Sequence, residues 1–171
     1  MALLVAFSGA RMTELANISR QDIVIGEDEM KVKMIIKKRK KPVPFDVPFK
    51  RREGDVCPVR ALEKWMNQKH CTKKENEGIW WNFQTNRKMG SQGCSKMLRS
   101  LLDEIGIDQK FGGSTVRHAM KTKLTSEGAT LKEMNEFTRH QENSNCVDNF
   151  YNIQVARDLG ALLLNDIKVY N

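Results

Sequence analysis

Hydrophobic positions recur along the chain with two periods, and the changes of period divide it into parts. Residues 2–17 carry Leu3, Leu4, Ala6, Phe7, Leu15 and Ala16 at helical spacing. Gly9 interrupts this run, so two short helical pieces are expected rather than one. The period then falls to two. Residues 22–25 alternate, and Met30, Val32, Met34 and Ile36 share one face of a strand with Lys31 and Lys33 on the other. Gly26-Glu27-Asp28-Glu29 between them reads as a turn. Residues 42–47 read as a returning strand. Pro42 and Pro44 place it at an edge, because proline has no N–H for a ladder. Residues 22–49 are therefore expected as a small antiparallel sheet with residues 37–41 at the tip of its long hairpin.

Helical spacing then returns. Pro58 suits the first position of a helix that buries Leu62, Trp65 and Met66. Residues 79–83 form a short aromatic segment. Ser91 is expected to cap a helix carrying Met97, Leu98, Leu101, Leu102 and Ile105 and ending at Gly106. Gly112-Gly113 reads as a loop, Ser114 as the cap of a helix reaching about residue 127, and Gly128 as its stop. Thr130 and Glu133 have capping-box spacing for a helix through Thr138. Residues 141–145 are polar and loop-like. A last amphipathic helix is expected over residues 154–165, with Val155, Leu159, Leu162 and Leu163 on its apolar side.

Composition narrows the class. The 171 residues suit one domain with one core, and 40% hydrophobic against 29% charged residues describes a folded chain rather than a disordered one. Lys and Arg outnumber Asp and Glu by 29 to 21, a net charge of +8. Such a balance points to a polyanionic partner, nucleic acid before a membrane surface. No apolar stretch approaches the roughly 20 residues that span a bilayer. Cys57, Cys71, Cys94 and Cys146 make no CxxC pair and have no matching His spacing, so they read as free thiols in a reducing compartment. His70 beside Cys71 lacks two further ligands for zinc.

Three polar segments carry the candidate chemistry: Ser8-Gly9-Ala10-Arg11-Met12-Thr13-Glu14-Leu15, then Ser114-Thr115-Val116-Arg117-His118-Ala119, then Thr138-Arg139-His140 followed by Asn149-Phe150-Tyr151. Between the first two lies the basic run Lys37, Lys38, Arg39, Lys40, Lys41, leading into Pro42-Val43. In order and context these segments resemble the boxes of the tyrosine recombinase (phage integrase) family. That family has a TGxRxxEL box with the first catalytic Arg, a hairpin Lys, an HxxRH box with the second Arg, and a GH element ahead of the nucleophilic Tyr. The resemblance covers nearly the whole chain. It departs at Ser114, where the family has His or Lys, at Arg139, where it has Gly, and in the eleven residues from His140 to Tyr151.

The resemblance implies an α+β, mainly helical fold with a small antiparallel sheet, the tyrosine recombinase catalytic domain, over residues 1–171. The abrupt start, without a helix cap, suggests a fragment lacking the family's core-binding domain, and recombination by it alone is expected to be weak. It also implies the roles. Arg11 and Arg117 would grip the non-bridging oxygens of a phosphodiester with planar forks. Tyr151 would attack the phosphorus, His140 would donate a hydrogen bond to a phosphate oxygen, and Lys38 would protonate the leaving 5′-hydroxyl, with Lys37 and Lys40 as rivals. Tyr170 lies too near the end to be the nucleophile. Ser114, Arg117 and His118 stand at i, i+3 and i+4 on one helix face, where His118 is a candidate substitute for the missing His. Lys37, Arg39, Lys40 and Lys41 would contact DNA. No metal or other cofactor is expected, because a phosphotyrosine linkage stores the bond energy for rejoining.

Plainer readings exist for each residue. Arg11 alone is a surface Arg paired with Glu14. A lysine run is a solvated hairpin tip or an import signal, Tyr151 a buried Tyr, and Trp65, Trp80 and Trp81 core residues. The function expected is site-specific DNA cleavage and rejoining. Its alternatives are DNA relaxation in the manner of a type IB topoisomerase and a catalytically inactive, domesticated DNA-binding module. Expected partners are duplex DNA and further copies of the chain, as a tetramer joined through the C-terminal helix, with no membrane. The expected location is intracellular: the nucleus in a eukaryote, otherwise the cytoplasm or nucleoid.

Overall fold

Gly9 adopts a φ of +60°, and the first helical run divides there into α1 (Ala2–Ala6) and α2 (Met12–Leu15). The structure is a computed structural model that describes residues 1–38, 41–68, 78–139 and 159–163, with backbone alone for residues 37, 38, 159 and 162. A 3₁₀ turn, Arg20–Asp22, leads into the sheet of β1 (Ile23–Ile25), β2 (Glu29–Lys38) and β3 (Lys41–Lys50). The order is β1-β2-β3, all antiparallel, so both prolines of β3 do lie on an edge strand. The alternation of β2 decides its orientation. Met30, Val32, Met34 and Ile36 are all buried, joined by Val47 and Phe49 of β3, while Lys31 and Lys33 are exposed.

The buried face of the sheet meets α1, α2, α3 (Pro58–Asn67) and α4 (Ser91–Glu104) in one core with Leu4, Leu15, Leu62, Trp80 and Leu98. Two indoles tie it together. The Trp80 Nε1–H donates to the Leu15 carbonyl at 2.8 Å, and the Trp65 Nε1–H donates to the Ile79 carbonyl at 2.9 Å. Both tryptophans are thus packing residues, and the first anchors the end of α2. A smaller cluster of Met120, Leu124, Ala129 and Met134 joins α5 (Gly113–Ser126) to α6 (Leu131–Phe137). The capping box opening α6 is present: the Thr130 hydroxyl accepts from the Glu133 N–H at 3.2 Å, and the Glu133 carboxylate accepts from the Thr130 N–H at 2.7 Å.

Several expectations need correction. Gly90, not Ser91, is the N-cap of α4, and Gly112, not Ser114, is the N-cap of α5. At α5 the reason is visible: the Gly112 N–H donates to Thr115 Oγ1 at 3.2 Å, so Thr115 closes the first turn and Ser114 is left exposed inside it. On α4 only Cys94, Leu98 and Leu102 are buried, while Leu101 and Ile105 face solvent, because the helix packs on α2 and α5 over a narrow stripe. The aromatic segment contributes β4 (Trp81–Asn82) to a two-stranded hairpin with β5 (Arg87–Lys88). The sequence around β5 lacks the alternation that would have marked it.

Cys57 and Cys94 are buried thiols without a disulfide. Cys71, Cys146, His70 and the polar stretch 141–145 lie outside the described residues. Of the last helix only α7 (Leu159–Leu162) is described. Among the described residues no helix is long and apolar enough to cross a membrane.

Candidate functional site

The site begins at a turn that only glycine can make. At Gly9 the backbone is left-handed, and an added Cβ would lie 2.9 Å from both Met120 Cε on α5 and Thr138 Cγ2 after α6. Ser8 beside it is buried. Its hydroxyl donates to the Leu4 carbonyl and accepts from the Ala10 N–H at 3.1 Å. Residues 8–10 are therefore seated directly on α5 and the end of α6. The chain leaves this turn at Arg11, the N-cap of α2. Gly113 makes the matching approach from the other side, where a Cβ would lie 3.2 Å from both Met12 Cε and Leu98 Cδ2. These two contacts bring the start of α2 against α5, and so Arg11 towards Arg117.

Glu14 lies at the centre. It is buried, and its Oε2 accepts from the Arg11 N–H at 2.9 Å. Arg11 Nη1 stands 3.7 Å from Oε1, with the Arg11 side chain half exposed at 51%. Arg139 Nη2 stands 3.7 Å from Oε2, with both of those side chains only 8% exposed. Arg139 also donates through Nη1 to the Ser8 carbonyl at 3.1 Å and to the Phe137 carbonyl at 3.2 Å. Arg117, from α5, completes the group.

The electrostatics tie these residues together. The Arg117 guanidinium is held below its ordinary pKa, first by burial and then by the like charge of Arg11, with Glu14 opposing both. Arg139 is also lowered, first by burial and further by Arg117 and Arg11, against the pull of Glu14. Three guanidiniums thus face one carboxylate, and the difference, three minus one, leaves two positive charges. A half-buried concentration of positive charge of this kind is stabilised by an anion. Bidentate forks suit the tetrahedral oxygens of a phosphate. From Arg11 an open cleft of about 500 Å³ runs between α2 and α4, lined by Thr13, Ser91, Gln92, Ser95 and Lys96 among others.

Of the residues singled out from the sequence, Arg11 and Arg117 are brought together, and the pairing of Arg11 with Glu14 is also present. Ser114 and His118 both lie exposed on α5. Lys41 is exposed at the start of β3, opposite Lys38 in the ladder. For Lys37 and Lys38 only the strand backbone is described, and Arg39, Lys40, His140 and Tyr151 lie outside the described residues. The residue that sequence reasoning missed is Arg139. Its φ is +58°, the left-handed region that favours glycine, and this is the position where the resembling family has Gly. An arginine in a glycine position was the available signal.

Comparison with known proteins agrees with this arrangement. A family model described as the phage integrase family matches residues 1–156. The tyrosine recombinase XerD of Halalkalibacterium halodurans is 26% identical over 145 residues, covering 83% of this chain and 45% of that protein. Among solved structures, the XerA recombinase superposes with a TM-score of 0.60 at 19% identity, over 80% of this chain and 46% of that one. The Tn1549 transposon integrase in complex with circular intermediate DNA gives 0.60 at 15% identity, over 95% of this chain and 55% of that one. The chain spans about half the length of these relatives.

Proposed function

The chain belongs to the phage integrase family, and on that premise we propose that it cuts and rejoins DNA strands at specific sites through a 3′-phosphotyrosine intermediate. The observation that supports this most is the shared electrostatic field of Arg11 and Arg117, which stand more than a hundred residues apart in sequence. In the proposed reaction the Tyr151 hydroxyl oxygen bonds to the scissile phosphorus and the bond from phosphorus to the 5′ oxygen breaks. The phenol proton is lost, and the departing 5′ oxygen takes one from a hairpin lysine, Lys38 in this reading. Negative charge grows on the non-bridging oxygens as the phosphorus becomes five-coordinate. Arg11 and Arg117 are the forks for those oxygens, and His140 adds a further donor. Attack by a 5′-hydroxyl on the phosphotyrosine reverses the sequence, so the bond energy is kept and no nucleotide is consumed.

Lys37, Arg39, Lys40 and Lys41 are assigned to the DNA backbone, where positive charge at a hairpin end follows phosphates irrespective of sequence. The exposed positions of Ser114 and His118 leave both as supporting residues beside the phosphate. We assign residues 1–171 to a single catalytic domain that works on duplex DNA as part of an assembly of further copies.

A nicked suicide duplex tests the reading. After cleavage the short 5′ fragment diffuses away and the protein stays covalently attached. Trapping is expected for the unaltered chain, to be abolished by Tyr151→Phe, and to be slowed by on the order of 10²–10³ in Arg117→Ala, the usual loss for one transition-state donor. A chain that binds duplex but forms no adduct with any duplex tested would instead be a binding module.

A further inference from the structure

A buried carboxylate beside two phosphate-gripping guanidiniums poses a problem that the structure answers. Glu14 is needed locally, since its Oε2 takes the N–H at the start of α2. Yet its charge also attracts Arg11, whose Nη1 is 3.7 Å from Oε1. Left to that pair alone, Glu14 would compete with DNA for Arg11. Arg139 stands at the same 3.7 Å from the other carboxylate oxygen, and unlike Arg11 it is almost wholly buried. Its Nη1 is spent on the Ser8 and Phe137 carbonyls, and its Nε and Nη2 have no hydrogen-bond acceptor among the described residues. Its backbone is held left-handed, a conformation that an arginine adopts only where its surroundings impose it.

We infer that Arg139 is a positioning residue: it takes up the charge of Glu14 and clamps the Ser8 carbonyl, so that Arg11 stays available to the scissile phosphate. This deepens the proposed cleavage reaction and rests on it. The net positive charge of two is then the charge that the phosphate meets. Replacing Arg139 alone by an apolar residue leaves two guanidiniums against one carboxylate, a net charge of one, with Arg11 drawn towards Glu14. Neutralising Glu14 as well returns the net charge to two, and glutamine still offers an oxygen to the Arg11 N–H. A buried ion pair replaced on both sides by neutral groups of similar size is commonly tolerated by the fold, whereas one left half-broken is not.

The experiment compares Arg139→Met, Glu14→Gln/Arg139→Met and the unaltered chain for the rate of covalent trapping on the suicide duplex, for duplex affinity and for melting temperature. Arg139→Met is expected to slow trapping by on the order of 10², the loss that follows when a catalytic group shifts by about an ångström. Duplex affinity should hold, since Arg139 does not face solvent, and the double variant should recover most of the lost rate. If Arg139→Met does not fold, the double variant and Arg139→Lys carry the comparison: both should trap well above the level of Arg117→Ala. Trapping by Arg139→Met at the unaltered rate, or a double variant no faster than the single one, overturns the inference while leaving the cleavage reading intact. Should the unaltered chain form no adduct, the cleavage reading fails. The inference is then decided by stabilisation of the same variants by orthovanadate: weakened in Arg139→Met and restored in the double variant supports it, and equal stabilisation of all three overturns it.

Discussion

A guanidinium can hold a phosphate only where something else fixes its direction, and here that something is largely glycine and glutamate. Gly9 combines a left-handed backbone with contacts to Met120 and Thr138 that leave no room for a Cβ. Gly9→Ala therefore meets strain and overlap at once. It is expected to cost about 2–4 kcal/mol, summing strain of roughly 1–3 with an overpacking cost of similar size, and to lower trapping because residues 8–10 set the start of α2. A melting temperature unchanged within error would show that the turn relaxes freely. At the exposed positions of α5 the expectation has the opposite sense. If His118 stands in for the family's missing His, His118→Ala slows trapping while Ser114→His/His118→Ala restores it. If His118→Ala cleaves at the unaltered rate, Ser114 works without a substitute.

At the scale of elements, positions with a strict period were readable and positions governed by local capping were not. The four buried residues of β2 follow from alternation alone, as does the edge placement of Pro42 and Pro44. The box at Thr130 and Glu133 was equally plain, because both side chains must sit three residues apart to satisfy each other's N–H. Thr130→Ala should cost about 1 kcal/mol, and a chain of this size should then melt about 2–4 °C lower. Gly90 and Gly112 were not recognised as caps, since a glycine offers no side chain to identify it and the nearby Ser91 and Ser114 are the better cap formers in isolation. Arg11 and Arg117 were found from the motif around each. Arg139 was passed over because its role arises from a buried salt bridge to Glu14 and a carbonyl 131 residues away, which no local pattern encodes.

Over the whole molecule, the net charge of +8 is divided between two places with different physical consequences. The guanidiniums around Glu14 are partly or wholly buried, so added salt screens them little. The hairpin lysines border solvent, as Lys41 does, and their attraction for DNA falls as counterions compete. The proposal counts Arg11, Arg117 and three or more residues of the run 37–41 as phosphate contacts. About five contacts give a slope of roughly −4 to −5 in log affinity against log salt, or a loss on the order of 10²–10³ between 50 and 200 mM. Lys40→Ala and Lys41→Ala should each make the slope shallower by about one, with equal effect on every duplex sequence. Arg139→Met should leave the slope unchanged, because a buried guanidinium opposite a carboxylate releases no counterion. Fluorescence anisotropy across a salt series measures all three. A parent slope shallower than about −2 would mean that fewer than three phosphates are held, too few for both forks and the hairpin to be engaged together.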